Sequence, residues 1–390
     1  MLIPKLALRN IMGAGLRTWL NVVVLSLAFV TIVGIQGLYD GFNRQASHAL
    51  IQTEYGGGQY RNVHYDPYDP LTFEDSHARL PEPLRQTVEK GKAAPILVAQ
   101  ASIYPNGRLM PAILKGIDPE QKVVDLPTAI LDSSQADLPV MIGGRMARNT
   151  KLQVGDMVTI RWRDVNGVFD ARDAEIVRVF KTSVPTVDQN LIWMPLEKLQ
   201  ELMQEPDEAT IVVMSKDNNA STPYAGWTFL SQYDLLSDIR EIIKAKQSSS
   251  MIMYSMLLFL ALLAIFDTQV LSIVRRRKEI GMLIAMGMTR SQVIRLFTME
   301  GSMHGILAAV LALIYGGPLL AWTQKVGWKL PAYSDDFGVA ISERLYPYYT
   351  GGLVIATIVI VMIAITIVSF LPTRRISRLN PTDALRGKRI

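Results

Sequence analysis

The chain has 390 residues, 49% of them hydrophobic and 19% charged, with a mean hydropathy of +0.20 and a formal net charge of +5. These averages fit neither a fully membrane-embedded protein nor an ordinary soluble one, and they point to a mixture of the two. The absence of cysteine excludes disulfides, thiolate catalysis and Cys-based metal sites, and the four scattered histidines never take the spacing of a zinc helix motif.

The segment PKLALRNIMGAGLRTW alternates apolar and basic residues at helical spacing, and 1–18 is predicted to be an amphipathic helix on the cytoplasmic membrane surface. The apolar run Leu20 to Leu38 follows Lys5, Arg9 and Arg17. It is long for a signal core and lacks a small-x-small cleavage site, so an uncleaved span over 19–40 is expected. Residues 41–247 have the texture of a soluble α/β domain of mixed strands and short helices. Short β-rich runs recur between turn residues: AAPILVAQASIY, LMPAILKGI, DMVTIRW, VFDARDAEIVRVF and ATIVVMS. Asn166-Gly167 signals a hairpin, and LEKLQELMQ reads as a short amphipathic helix. Helices over Tyr39–Tyr55 and LLSDIREIIKAKQSSS are expected to flank the domain, with Gly56-Gly57-Gly58 as a hinge rather than a phosphate loop.

Further spans are expected over 248–274, 299–323 and 348–371, joined by a 275–298 loop and a short 324–347 loop, with a basic tail over 372–390. Basic flanks precede the first span, separate the second from the third and follow the fourth. By the positive-inside rule both termini and 275–298 are cytoplasmic, and 41–247 lies outside. The stretch RRRKEIGMLIAMGMTRSQVIRLFTMEG carries the most information. Arg275 to Lys278 set orientation. Beyond them Ile280, Leu283, Ile284 and Met288 fall on one helical face, while Gly281, Ala285 and Gly287 leave room for close approach by a partner.

Three intramembrane polar residues stand out. Asp267 would be costly unless hydrated or paired. It reads either as a contact that changes between transport states or as a carboxylate near the inner surface pairing with Arg275 or another basic residue. Glu300 and His304, four apart, share a helical face. They read as a local polar pair, with a proton relay as the alternative. The Met-rich run 251–260 either lines a greasy path or faces lipid and core.

The loop after the second span, with Glu279, Ile280, Gly281, Leu283, Ala285, Gly287, Glu300 and Gly301 in place, resembles that of the FtsX/MacB-like, four-span, mechanotransmission-type permeases of ABC transporters. The tail matches through Pro381, Ala384, Leu385 and Arg386, and the insert through Gly144, Ala147, Leu152, Gly155, Asp156 and Val158. Within that family the likeness is greatest to the lipoprotein-releasing permeases, although Asp267 stands where those often carry Asn and the match over 159–185 is poor. The resemblance implies a multi-pass bacterial inner-membrane subunit without catalysis of its own. Glu279, Ile280, Gly281, Leu283, Ala285, Gly287 and Met288 would dock an ATPase dimer. No Walker motif occurs in the chain, so no cofactor is expected on it, and ATP and Mg would sit on that partner. Four spans per subunit imply a second permease, homo- or heterodimeric. A periplasmic carrier or adaptor, lipoprotein cargo and membrane lipid complete the implied partners, with no nucleic acid. MacB-like tripartite efflux and FtsX-like control of a cell-wall hydrolase are the alternatives.

Overall fold

The computed structural model describes residues 16–182, 184–217, 222–329, 344–374 and 376. Most of the predicted surface helix 1–18, much of the 324–347 loop and nearly all of the basic tail, including Pro381, Ala384, Leu385 and Arg386, lie outside the described residues. The chain divides into two compact units, a helical one (1–42, 243–328 and 346–390) and a sheet domain (43–242 and 329–345).

Among the described residues, four helices are long and apolar enough to cross a membrane: Trp19–Tyr55, Ser237–Arg275, Arg290–Val326 and Gly351–Thr373. The first begins as α1 (Leu16–Leu50), and the second is α2 (Ser237–Arg275). The first two have 37 and 39 residues, about 55 Å of helix where about 30 Å of hydrocarbon must be crossed. The surplus is the pair of helical extensions predicted at the edges of the insert. Between α2 and the third long helix lies the short α3 (Arg277–Ala285). The third long helix comprises α4 (Arg290–Leu311), a π-turn over Ala312–Gly316 and α5 (Gly317–Val326). Pro318 has no N–H to give the preceding turn, which accounts for the widening there. Gly316 is required because a Cβ would lie 2.4 Å from Cγ2 of Val30 on α1. The fourth helix is α6 (Gly351–Thr373). Val22, Leu25 and Phe29 of α1, Ala261 and Ile265 of α2, Ala308 of α4 and Val361 and Ile365 of α6 form the apolar centre of the bundle.

The helices α4 and α6 approach most closely around Gly301-x-x-x-Gly305. A Cβ at Gly301 would meet Oγ of Ser369 at 2.2 Å, and one at Gly305 would meet Sδ of Met362 at 2.6 Å. The hydroxyl pairs Thr298–Thr373 (3.0 Å) and Ser302–Thr366 (3.1 Å) flank the contact. Small residues and hydroxyls replace the hydrophobic effect, which cannot drive helices together in lipid.

Among the described residues the main sheet of this domain has nine strands: β1 (Gln59–Asn62), β2 (Ala93–Ile103), β3 (Met110–Ile117), β4 (Pro139–Gly143), β5 (Met157–Arg163), β6 (Phe169–Phe180), β7 (Leu191–Pro195), β8 (Ile211–Met214) and β9 (Trp227–Leu230). Their order is β9-β1-β8-β2-β3-β7-β4-β6-β5, mixed because β3–β7 and β4–β6 are parallel. The 11-residue β2 pairs a second time, with β5, through Ala101↔Trp162 and Ile103↔Ile160. That closes β2-β3-β7-β4-β6-β5 into a six-stranded barrel with β8, β1 and β9 as a flap on one edge.

Alternation along the strands sorts the side chains. Leu97, Ala99, Ala101 and Ile103 of β2 point in with Ala112, Leu114, Ile160 and Trp162. Ile96, Val98, Ile117, Trp193 and Ile211 point out, where Ala46 and Leu50 from the end of α1 cover them. The β5–β6 hairpin turns as foreseen at Asn166-Gly167. Only Gly167 has a positive φ (78°), and the bonds Gly167 N–H to Asp164 O and Asp164 N–H to Val168 O (both 2.9 Å) make a type I turn with a glycine bulge. The segment 196–204 is helical over Leu196–Met203, with Gln204 as its left-handed cap.

The Gly56-Gly57-Gly58 hinge is corrected. Gly57 N–H bonds to Met214 O at 2.6 Å, and Cβ atoms at Gly56 and Gly57 would lie 2.4 and 2.3 Å from the carbonyls of Met214 and Ser215. The glycines permit backbone-to-backbone contact with β8, and this is a packed junction.

Candidate functional site

The loop expected to transmit work is a helix–turn–helix, and its sequence dictates each part. In α3, Glu279 lies in the first turn, where a negative charge meets the positive helix end. The helix stops at Gly287 (φ 101°), with Gly287 N–H bonded to Ile284 O (3.1 Å) and Met288 N–H to Leu283 O (3.1 Å). This is a Schellman closure with glycine at the left-handed position. Two residues on, Thr289 caps α4: Gln292 N–H donates to its hydroxyl (3.3 Å), and Thr289 N–H donates to the Gln292 side chain (2.9 Å).

The turn fixes which face of α3 is hidden. Ile280, Val293 and Phe297 are fully buried together with Ile273 and Ile376, and Leu283, Ile284 and Met288 pack half-buried against them. Gly281 is also buried. Of the seven residues predicted to dock a partner, Ile280, Leu283 and Met288 therefore hold the segment against α4, and Gly281 is buried beside them in the chain. Glu279, Ala285 and Gly287 remain exposed. The exposed surface also includes Met282 and Met286, 53% and 67% accessible, which are not among those seven. Their signal was phase: 282 and 286 are one turn apart and out of register with 280, 283 and 284.

Arg276 ties this segment to the third long helix. Its Nε donates to Glu279 (2.7 Å), its Nη1 donates to Glu300 (2.8 Å), and its guanidinium lies 4.8 Å from the centre of the Phe297 ring. The predicted Glu300–His304 pair is corrected accordingly. The buried Glu300 carboxylate takes its charge partner from Arg276, while Nδ1 of His304 faces the carbonyls of Glu300 (3.1 Å) and Gly301 (3.2 Å). Two acceptors there place the ring proton on Nδ1. Asp267 is exposed on α2, and among the described residues no ion pair reaches it. The pairing with Arg275 does not form; eight residues, about 12 Å of helix, separate them. Its neighbour Thr268 instead accepts from Nδ2 of Asn21 on α1 at 2.6 Å. Among the described residues no group of three or more His, Cys, Asp or Glu has metal-binding geometry.

In the sheet domain, the segment matched in the sequence, Gly144 to Val158, is structural. Leu152 and Val158 point into the barrel, Gly155 (φ 91°) turns the chain into β5, and Asp156 accepts from Gln153 N–H at 2.8 Å. Arg145 Nη1 meets Asp188 at 3.0 Å, and Arg145 N–H donates to the same carboxylate at 2.8 Å.

The family model described as the MacB-like periplasmic core domain matches residues 18–225, and the FtsX-like permease C-terminal model matches residues 251–381. The lipoprotein-releasing system transmembrane protein LolC of Neisseria meningitidis is 22% identical over 403 residues, covering 95% of this chain and 94% of the relative. The protein of that name from Xylella fastidiosa is 21% identical over 327 residues, 75% of this chain and 77% of the relative. The macrolide export ATP-binding/permease protein MacB 2 of Yersinia pestis is 26% identical over 152 residues, 38% of this chain and 20% of the relative. With four candidate spans, a mixed-sheet domain and both halves matched, the chain belongs to the FtsX/MacB family of ABC transporter permeases.

Proposed function

We propose that the chain is the permease subunit that converts ATP hydrolysis by a separate nucleotide-binding subunit into motion of the sheet domain, and that its cargo is lipoprotein taken from the inner membrane and passed to a periplasmic carrier. The likeness over nearly the whole length of a lipoprotein-releasing permease supports the cargo class. The exposed face of α3, with Met282, Ala285, Met286 and Gly287, supports the coupling. In this reading both termini and 275–298 are cytoplasmic, 41–247 is periplasmic, and two permease subunits assemble on an ATPase dimer that holds ATP and Mg. Pulling acyl chains from a bilayer costs about 0.8 kcal/mol per CH₂, which is why the step needs an external energy source.

MacB-like efflux is the second reading, favoured by the shorter likeness to the macrolide exporter. One complex discriminates. Affinity purification of the chain from its own cell envelope should bring down an ATPase and a lipoprotein carrier. Recovery of a tube-forming adaptor instead selects efflux. In the purified complex, Met282→Ser with Met286→Ser should lower coupled ATP turnover about tenfold with unchanged assembly in the membrane, as expected for loss of two apolar anchors. Unaltered turnover would remove this face as the docking surface. The methionines are better targets than Gly287, because a side chain at φ 101° strains the turn whatever docks there.

A further inference from the structure

A cavity of about 560 Å³ lies on the outward face of the barrel, within the sheet domain. Outward residues of the sheet (Ile113, Lys115, Leu191 and Ile211) form its floor. Tyr55 after α1, Tyr65 and Phe73 wall it. Its size is that of a small-molecule site.

The hydrogen-bonding groups around it are unevenly engaged. Every acidic side chain in the lining already has a donor. Glu54 accepts from the Thr186 hydroxyl at 2.7 Å and from Lys115 at 3.5 Å, Asp238 accepts from the Tyr68 hydroxyl, and Asp234 accepts from Ser231 at 2.6 and 3.0 Å. The donors are largely idle. Lys115 is only 7% exposed, and Nζ, with three N–H groups, has just the 3.5 Å contact to Glu54 and a position 5.3 Å from the Trp193 ring centre. Such a contact is at the outer limit of a hydrogen bond. Arg61, with five N–H groups, donates to Gln59 Oε1 at 3.0 Å and lies 5.7 Å from the Tyr65 ring centre. The hydroxyls of Tyr55 and Tyr65 have no hydrogen-bond partner among the described residues. Burial pushes the Tyr65 phenol up to about 12, so it keeps its proton at any physiological pH.

A buried ammonium with two unused N–H groups, a guanidinium and two phenols line an apolar-walled space whose three carboxylates each already accept a hydrogen bond. We propose that this cavity binds a small organic carboxylate with an apolar or aromatic body. The planar carboxylate suits the guanidinium fork and the ammonium. The body lies between Tyr65, Phe73 and the aliphatic floor. The proposal concerns the sheet domain alone, so its failure would leave the coupling role of α3 untouched.

The test is a calorimetric titration of the full-length chain in detergent micelles with phenylacetate, subtracting empty micelles. Saturable binding is expected with a Kd of about 1 mM or tighter. The neutral 2-phenylethanol, in which a hydroxymethyl group replaces the carboxylate, and the cationic phenethylamine should bind at least about tenfold more weakly, because neither offers an acceptor pair to the two cations. Arg61→Gln and Lys115→Met should each weaken phenylacetate binding by about tenfold or more. Near-ultraviolet circular dichroism checks that each variant is folded. Should the buried Lys115 variant lose its fold, half-exposed Arg61 decides alone. The proposal is overturned by phenylacetate failing to saturate by about 10 mM, by the amine binding as well as the acid, or by Arg61→Gln leaving the affinity unchanged.

Discussion

In the sheet domain the side chains with no exposure include Tyr60, Leu114, Ile142 and Ile160, and the buried Arg145 and Asp188 are paired with each other. In the helical unit Val24, Leu27, Ile360, Ile363 and Ile367 lie open, while Ser26, Gln269, Ser369 and Thr373 are closed off. One unit is sorted by water and the other by lipid. In the first, apolar burial supplies the stability and polar groups specify the arrangement. In the second, apolar groups gain little by leaving lipid, so close backbone approach and hydroxyl contacts must hold the helices. The difference teaches where each unit is fragile: the sheet domain at its few buried charges, the helices at their smallest residues.

The largest effect should come from Asp188→Ala. Burial holds the Asp188 carboxyl above its ordinary value despite the Arg145 guanidinium, so the pair adds little net stability. Removing one partner is a different matter, because Arg145 would stay interior without its carboxylate. A loss of about 3–5 kcal/mol is expected, read as a drop in the unfolding midpoint of the sheet domain by tryptophan fluorescence. Gly143 is bound to the same site, since a Cβ there would lie 1.7 Å from Oδ1 of Asp188. A shift under about 1 kcal/mol would show that water reaches the pair and would undo the contrast drawn between the units.

Next in size is Gly301→Leu. Even the Cβ cannot fit, with Ser369 at 2.2 Å and the Gln269 amide at 3.0 Å, so α4 and α6 must separate. Overpacking of this kind costs about 1–3 kcal/mol. Thermal stability in detergent should fall, and a cysteine pair placed across α4 and α6 in this cysteine-free chain should crosslink less readily. Equal crosslinking would mean that the hydroxyl pairs, not the small residues, hold the contact.

Much of this was legible beforehand, and the reasons differ by region. The four spans were, because length and hydropathy decide them locally. So were most barrel strands, whose alternation survives single-sequence reading, and the helix over 196–204. Barrel closure was not, because the second pairing of β2 with β5 joins residues some sixty positions apart. In the 275–298 segment, the sequence places Ile280, Leu283 and Ile284 on one apolar face, but no sequence pattern says whether that face meets a partner or the chain itself. The Schellman glycine and the Thr289–Gln292 capping box were present in the letters and break the segment in two. Weighing them would have turned Met282 and Met286 outward. In the sequence Arg276 reads only as orienting charge, since its partner Glu300 is 24 residues away.

The smallest expected effect tests whether the sheet domain hides a second charge cluster that is less firmly paired than Arg145–Asp188. His77 lies between two carboxylates, with Nε2 3.1 Å from Glu205, Nδ1 bonded to Glu208, and Arg79 opposite Glu208 in a short two-stranded ladder. Burial pushes the Glu205 carboxyl up to about 7, and the flanking carboxylates raise His77 above its ordinary value. Both groups thus hold protons more tightly when folded. The Glu205 contribution is present at low pH and fades as pH rises from its ordinary 4.5 to about 7; the His77 contribution persists to higher pH and is lost through its raised value. Stability should therefore decline from pH 5 to pH 8. Glu205→Gln should flatten the pH 5–7 part by about 1–2 kcal/mol, the rise at Glu205 being discounted for its partial exposure to solvent, and should weaken the decline above pH 7, because His77 loses one of the two carboxylates that raise it. Thermal unfolding of wild type and variant across that range reads the difference directly. Parallel curves from pH 5 to 7 would mean that Glu205 titrates as an exposed carboxylate, and that Arg145–Asp188 is the buried charge on which the fold of this domain depends.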